Sequence, residues 1–292
     1  MRDAIATLDL SEGPALSPTS AAGTVTRREN HLGVIVGAMN DPRRPLEDEL
    51  TRIAASGFGL VDVTLEPPRA WPCDGARLGS LLRELDLPAV GHTAYYLPIA
   101  SPLPALREAA HDLFRQAFEV FAAAGIETVN VHPDPLNRMF TPTERRARNA
   151  EALAELAAEA RMRNLTLMVE NLGTPFGSVE DLSPLFDTTP ELRFHLDVGH
   201  ANLGRGSFGP NRTRELLAAF GDRLAHVHLS DNLGLEDLHL PLGAGSVDWP
   251  AVASALKQAR WDGTVTLEIF SRERRHLETS RELWLEWWSA AP

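Results

Sequence analysis

The chain has 292 residues, of which 43% are hydrophobic, and its formal net charge is −12. A chain of this length can bury the core of one barrel-sized domain. The acidity disfavours a general nucleic-acid binder, because binding a DNA backbone calls for a basic face. Cys73 is the single cysteine, which excludes an internal disulfide and a thiolate metal cluster.

Residues 1–30 are rich in Ser, Thr, Ala, Gly and Pro and lack hydrophobic periodicity. We expect them to form a flexible leader, followed by one catalytic domain over residues 31–292. The first residues mix acids with a short apolar stretch, unlike a secretory signal, and no apolar run reaches the roughly 18 residues of a membrane span. The expectation is a cytoplasmic protein without a membrane segment.

From residue 32 onward, short apolar runs alternate with longer segments of helical period, and Gly or Pro marks the junctions. Strands that alternate with helices specify a parallel sheet, and eight such units favour a closed barrel. The predicted fold class is therefore α/β, a single (β/α)8 TIM barrel. The predicted strands are LGVIVG from Leu32, GLVDVTL from Gly59, PAVGHT from Pro88, TVNVH from Thr128, LTLMVE from Leu165, LRFHLD from Leu192, LAHVHLS from Leu224 and TVTLEI from Thr264.

Two of the predicted helices carry specific signals. Residues 143–164 contain good helix formers, with Pro142 just inside the start and basic residues near the end. The last helix places Trp284, Trp287 and Trp288 at positions i, i+3 and i+4. That spacing predicts an apolar stripe that packs against the barrel.

Imidazoles and carboxylates gather where predicted strands end, which is where TIM barrels carry their catalytic groups. Nine such groups at one mouth would be costly to desolvate unless cations neutralise the carboxylates. Imidazole and carboxylate without thiolate suit zinc, manganese, cobalt or iron, and the number of histidines favours zinc. The nine residues are His92, His132, Glu170, Asp197, His200, His228, Asp237, His239 and Glu268.

Two further histidines lie inside predicted strands. Strand alternation places His195 on the face of Asp197, and His226 on the face of His228, each one layer deeper in the barrel. We interpret both as buried core groups that orient the metal ligands by hydrogen bonding.

Seven segments in order, GHTAYY, VNVHPDP, LMVENLG, HLDVGHA, HLSDN, DLHLPLGAGSVDW and TLEIF, carry a family resemblance. Over about Leu32 to Phe270 the chain resembles the endonuclease IV superfamily, which also holds xylose-isomerase-like sugar isomerases and epimerases. Isomerase and epimerase members typically keep one ion, and phosphoesterase members keep three zinc ions. By that resemblance a single ion (Mn²⁺, Co²⁺ or Mg²⁺) would take Glu170, Asp197, His228 and Glu268.

The resemblance also implies places for up to three zinc ions, because all the additional ligands are present. The first set is His92, His132 and Glu170, the second is Glu170, Asp197, His228 and Glu268, and the third is His200, Asp237 and His239.

This larger ligand set favours a phosphodiesterase. Phosphodiester hydrolysis uses a hydroxide, neutralised phosphate oxygens and a stabilised leaving group, which a metal cluster supplies together. We therefore predict a zinc-dependent hydrolase of a small-molecule phosphodiester, with Glu170 and Glu268 as catalytic residues. A branch of the superfamily that remodels cobamides suggests the phosphodiester of their nucleotide loop as the substrate, giving cobinamide phosphate.

Three alternatives stay open. The chief one is a single-metal sugar or inositol isomerase, epimerase or dehydratase, in which Glu170 and Glu268 are both ligands and acid–base groups. A metal-buffering or sugar-binding barrel without catalysis is the second. An abasic-site endonuclease is the weakest, because the loop between His228 and Asp237 is short and acidic, and nucleic acid is not the expected partner.

Substrate contacts are expected from two loops. Tyr95 follows His92, and the stretch PRAWP holds Arg69 and Trp71, which could stack on or clamp a small-molecule ligand. The alternative interpretation is packing at the rim of the barrel.

Overall fold

The computed structural model describes residues 34–204 and 211–292. Eight parallel strands form a closed barrel in chain order, which confirms the predicted TIM barrel. The proposed leader at residues 1–30 lies outside the described residues, so the domain division stays a prediction. The strands are β1 Ile35–Met39, β2 Leu60–Thr64, β3 Ala89–His92, β4 Thr128–Val131, β5 Thr166–Glu170, β6 Arg193–Asp197, β7 Leu224–Leu229 and β8 Thr264–Leu267.

Helices surround this barrel. A short 3-10 helix, Gly221–Arg223, precedes β7. In the described residues, no helix combines the length and the apolar character that crossing a membrane requires. The α-helices are α1 Leu46–Ala55, α2 Gly75–Glu84, α3 Pro104–Ala124, α4 Pro142–Arg161, α5 Val179–Thr188, α6 Val198–Asn202, α7 Thr213–Phe220, α8 Trp249–Gln258 and α9 Arg275–Ala290.

The residues around the first turn of α4 explain why the helix begins at Pro142. Thr141 caps the helix by accepting a hydrogen bond from the backbone N–H of Glu144 at 3.2 Å. The Glu144 carboxylate in turn accepts from the backbone N–H of Thr141 at 2.8 Å. This reciprocal capping box, with Pro142 in the first turn, fixes the helix that the composition predicted.

β1 lies later in the chain than predicted, because Gly37 is inside the strand and does not end it. A Cβ atom at Gly37 would come 2.8 Å from the backbone oxygen of Leu60 on the neighbouring strand. The glycine therefore permits close strand packing, and the strand continues to Met39.

The tryptophan stripe of α9 packs as predicted. Trp284 and Trp288 are buried, with 0% and 2% of their surface exposed. Trp287 stacks on Trp249 of α8, with the two ring planes 9° apart. This contact packs the last two helices, α8 and α9, against each other.

Candidate metal centre

All nine sequence-predicted ligands lie at the carboxyl end of the barrel. This end collects the last residues of neighbouring parallel strands, so side chains far apart in sequence meet there. His92, Glu170 and Asp197 are the last residues of β3, β5 and β6. The others are His132 and Glu268 directly after β4 and β8, His228 in β7, His200 in α6, and Asp237 and His239 in the loop between β7 and α8.

The central group of this mouth consists of Glu170, Asp197, His228 and Glu268. Each offers one ligand atom, and the four atoms lie within 4.8 Å of one another. The Nδ1 atom of His228 is 3.0 Å from Oε2 of Glu268 and 3.8 Å from Oδ2 of Asp197. All four residues are buried. Three carboxylates and one imidazole around one point form a ligand set for a divalent cation.

A second group shares Glu170 with the first and adds His92 and His132. Its three ligand atoms also lie within 4.8 Å of one another. The Nε2 atoms of His132 and His92 are 2.9 Å and 3.7 Å from Oε2 of Glu170. Glu170 is therefore the residue through which two metal positions could be coupled.

The third group is bridged by a carboxylate. The Nε2 atoms of His200 and His239 each lie 3.0 Å from the same oxygen, Oδ2 of Asp237. His239 has a backbone φ of 44°, in the left-handed region that side chains seldom adopt. Such strain is retained where the surrounding structure fixes it, commonly at functional sites.

Burial and repulsion shift the protonation of this cluster. The pKa of Asp197 is raised to about 7, chiefly by burial. The charges of Glu170 and Glu268 also raise this pKa, and the charge of His200 lowers it. The pKa of His239 is raised to about 9 in spite of burial, because Glu268 and Asp237 favour its charged form. A divalent cation would relieve the carboxylate repulsion that raises the pKa of Asp197.

Buried atoms without hydrogen-bond partners indicate whether a cation fits the mouth of the barrel. Among the described residues, several buried side-chain atoms of the cluster have no hydrogen-bond partner, although buried polar atoms normally do. Oxygen and imidazole nitrogen atoms without partners are the donors that zinc and manganese use. The residues present therefore fit a divalent cation. The atoms are Oδ2 of Asp197, Oδ1 of Asp237, Nδ1 of His239 and both ring nitrogens of His92.

The two deeper histidines differ from each other. Both ring nitrogens of His226 are hydrogen-bonded to threonine hydroxyls, at 2.7 Å to Thr264 and 2.9 Å to Thr266. His226 is thus a satisfied core group and does not bond a candidate ligand through those nitrogens. The Nδ1 atom of His195 lies 3.2 Å from Oε2 of Glu170, so His195 borders the cluster, but neither of its ring nitrogens forms a hydrogen bond and the predicted orienting bond is not present among the described residues.

The three expected substrate contacts separate in the structure. Tyr95 is 56% exposed at the mouth, and its ring centroid lies 6.2 Å from that of His132. Arg69 lines a cavity of about 300 Å³ beside α1 and α2, outside the barrel. Trp71 is half-buried and packs against the hydrophobic core. The structure thus places Tyr95 beside the cluster and gives Arg69 and Trp71 other surroundings.

Three polar residues at or below the mouth escaped the sequence analysis. Asp62 and Asn130 are buried inside β2 and β4, and Asn130 donates a hydrogen bond to the Glu170 carboxylate. Glu66 follows β2, and burial raises its pKa, with the charge of Glu268 adding to the rise and His92 opposing it. The available signal was a polar residue within an apolar strand, as in LVDVT and TVNV.

The chain is similar in sequence and in structure to proteins of named function. An L-ribulose 3-epimerase from Methylomonas sp. strain DH-1 is 29% identical over 238 residues, covering 75% of this chain and 77% of the relative. A probable endonuclease 4 from Aquifex aeolicus is 25% identical over 250 residues, covering 77% and 84%. A solved D-tagatose 3-epimerase-like protein superposes with a TM-score of 0.78 at 24% identity, covering 88% and 97%.

These relatives overturn the prediction of a phosphodiesterase, including its cobamide version. The relative with 29% identity is a ketose 3-epimerase, which favours the alternative of a sugar epimerase. The error came from treating every histidine at the mouth as evidence for a zinc cluster. The central group alone has the ligand types for one cation and includes two glutamates, so the additional histidines do not decide the reaction.

The family assignment rests on most of the chain. Residues 50–288, which span β2 to β8 and most of α9, match the family described as xylose isomerase-like TIM barrel. The chain belongs to the xylose isomerase-like TIM barrel family.

Proposed function

We propose that this protein is a metal-dependent epimerase that inverts the carbon beside the carbonyl group of a ketose, the C3 position. The observation that carries the proposal is the meeting of Glu170 and Glu268. They come from β5 and β8, three strands apart around the barrel, yet both contribute to one group of atoms within 4.8 Å of one another. A relative named as an L-ribulose 3-epimerase supports this choice of reaction.

Epimerisation moves one proton between opposite faces of a carbon atom. The C–H bond beside a carbonyl breaks, the electron pair passes into an enediolate, and a proton then bonds to the opposite face. The reaction needs a carboxylate as base on one side and a carboxylic acid on the other. Glu170 and Glu268 fill these two roles, and they exchange them when the reaction runs in reverse.

Burial gives the two glutamates suitable surroundings for this work. Glu170 and Glu268 are 1% and 8% exposed, so little water reaches either carboxylate. Asn130 donates to Glu170, and Nδ1 of His228 lies 3.0 Å from Glu268. These contacts hold each carboxylate in one orientation, which proton transfer to a fixed carbon requires.

The central group would hold the catalytic cation through Glu170, Asp197, His228 and Glu268. Bound there, a divalent ion such as Mn²⁺ or Co²⁺ would polarise the oxygen atoms of the ketose and make its C–H bond more acidic. We propose that one cation suffices for the reaction. The groups around His92 and His132, and around Asp237, would then be further positions for zinc, up to three ions in total.

The substrate is a small neutral sugar. Tyr95 and Tyr96 are more than half exposed at the mouth, with their rings edge to face and 5.2 Å apart. Exposed aromatic rings beside a polar site suit a ligand with one apolar face and several hydroxyl groups. The imidazoles and carboxylates of the mouth supply partners for those hydroxyls.

Turnover of ketoses tests the proposal directly. The chain, freed of metal with a chelator and reloaded with Mn²⁺ or Co²⁺, is incubated with L-ribulose, D-allulose, D-tagatose and D-fructose. We expect at least one of them to yield its C3 epimer, and the metal-free chain to be inactive. Activity that is unchanged after chelation, or no epimer from any ketose with any metal, would contradict the proposal.

A further inference from the structure

Asp62 is a buried carboxylate that the proposed reaction does not use. It lies in the middle of β2, within the sequence LVDVT, and none of its surface is exposed. An ionised carboxylate in such a place is strongly destabilising unless it is paired and hydrogen-bonded. Its contacts should therefore show why an acid stands inside an otherwise apolar strand.

The short hydrogen bond of Asp62 goes to His228. The Nε2 atom of His228 donates to Oδ2 of Asp62 at 2.8 Å, across 166 positions in the sequence. The other ring nitrogen, Nδ1, faces the central group, 3.0 Å from Glu268 and 3.8 Å from Asp197. The imidazole thus stands between one carboxylate below and the candidate metal position above.

The neighbouring histidine, His226, lies farther from this carboxylate than His228 does. Nε2 of His226 lies 3.5 Å from Oδ2 of Asp62, farther than the His228 nitrogen. Both nitrogens of His226 are already bonded to the hydroxyls of Thr264 and Thr266. Of the two histidines, His228 therefore makes the closer contact with Asp62 beneath the mouth.

We propose that Asp62 is a positioning residue that fixes the tautomer and orientation of His228 for metal binding. With Nε2–H donated to Asp62, Nδ1, which faces Glu268 and Asp197, is the nitrogen that would give up its proton to bind a cation. A carboxylate behind a histidine in this way makes the ring a better ligand. The inference rests on the proposed function, which makes His228 a metal ligand.

The test compares the Co²⁺ affinity of the wild-type chain and Asp62→Asn by calorimetric titration. Asparagine keeps the volume of the side chain, but its amide group can face Nε2 and favour the tautomer that places a proton on Nδ1. We expect Co²⁺ to bind about 10- to 100-fold more weakly to the variant. The matched control is Thr264→Val, which removes the hydrogen bond between the Thr264 hydroxyl and Nδ1 of His226 and keeps both Asp62 and His228. Its affinity should stay within about twofold of wild type, since the lost bond involves neither partner of the pair.

Nitrogen NMR of the zinc-loaded wild-type protein is a second measurement, and it needs no variant. We expect His228 to carry its proton on Nε2 and none on Nδ1. A proton on Nδ1, or an Asp62→Asn chain that folds and binds Co²⁺ as tightly as wild type, would overturn the role of Asp62. A wild-type chain that binds no divalent cation would instead overturn the proposed function.

Discussion

The shell between the barrel and its helices differs from the mouth in how its buried groups are satisfied. In the shell, Phe114, Phe118 and Phe121 of α3 are almost fully buried among other apolar side chains. At the mouth, buried atoms of His92 and Asp197 lack hydrogen-bond partners. The shell therefore contributes stability through burial. The mouth instead leaves buried polar groups without protein partners, where a ligand could bind them, and this lowers stability. Substitutions in the two regions should separate these effects.

The largest effect is expected from Glu268→Gln at the mouth. The amide group keeps the shape of the side chain but does not accept or deliver a proton, so kcat for ketose epimerisation should fall about 10²- to 10⁴-fold. The measurement is the rate of epimer formation at saturating Mn²⁺. The control is Glu236→Gln, an exposed residue in the β7–α8 loop, which should leave the rate unchanged. Equal rates for wild type and Glu268→Gln would show that Glu268 does not transfer a proton in the reaction.

The corresponding change in the shell is Phe118→Ala. Phe118 has none of its surface exposed, so truncation should lower the free energy of unfolding by about 3–5 kcal/mol. Leu113→Ala on the same helix is the control, because Leu113 is 37% exposed and should cost much less. Urea unfolding measures both. A folded Phe118→Ala chain should keep the Co²⁺ affinity of wild type, and a large loss of affinity would show that shell and mouth are not separable.

A third prediction concerns Asp231, which joins the two regions. Its carboxylate accepts hydrogen bonds from Nε1 of Trp249 at 2.9 Å and from the backbone N–H groups of Gly243 and Val247 at 2.9 and 3.2 Å. Asp231→Asn places an amide N–H against one of these donors, so it should lower the free energy of unfolding by about 1–3 kcal/mol.

The same substitution at Asp248 is the control for Asp231. Asp248 caps α8 by accepting from the backbone N–H of Ala251, and asparagine caps helices equally well. Thermal unfolding should therefore show a loss for Asp231→Asn and almost none for Asp248→Asn. Equal losses would mean that the network around Asp231 has no special part in holding the loop that carries Asp237 and His239.

The fourth prediction is a pH dependence of stability at Asp197, measured in chelator. The pKa of its carboxyl is raised from 3.8 to about 7 on folding, so the folded chain disfavours the ionised form. The stability that the protonated group contributes is lost as the pH rises from about 4 to 7. Asp197→Asn does not ionise there, so its free energy of unfolding should improve relative to wild type across this range. A constant difference between the two proteins would refute the shift.

The sequence predicted the mouth well, because in parallel barrels strand ends meet whatever their distance along the chain. His92, Glu170 and Asp197 were placed by this rule alone, and the structure puts them at the ends of their strands. The rule says nothing about loops, whose paths depend on packing. Arg69 and Trp71 were consequently expected near a ligand, whereas the β2–α2 loop places Arg69 on an outer cavity.

Asp62 was missed for a different physical reason. A strand buried on both faces reads as a run of apolar residues, and a lone acid in it carries no information about its partner. That partner, His228, is 166 positions away and is brought close by closure of the barrel. The reaction was predicted wrongly because one set of ligand types serves both hydrolysis and epimerisation.

The most direct test of the account is the fate of the C3 hydrogen when the Mn²⁺-loaded chain turns over a ketose in deuterium oxide. We predict that proton NMR will show one deuterium at C3 of the epimer formed, because Glu170 and Glu268 exchange protons with solvent between turnovers. Deuterium at C2 of a newly formed aldose would indicate isomerisation instead. A ketose that is recovered without deuterium and without an epimer would contradict the central claim.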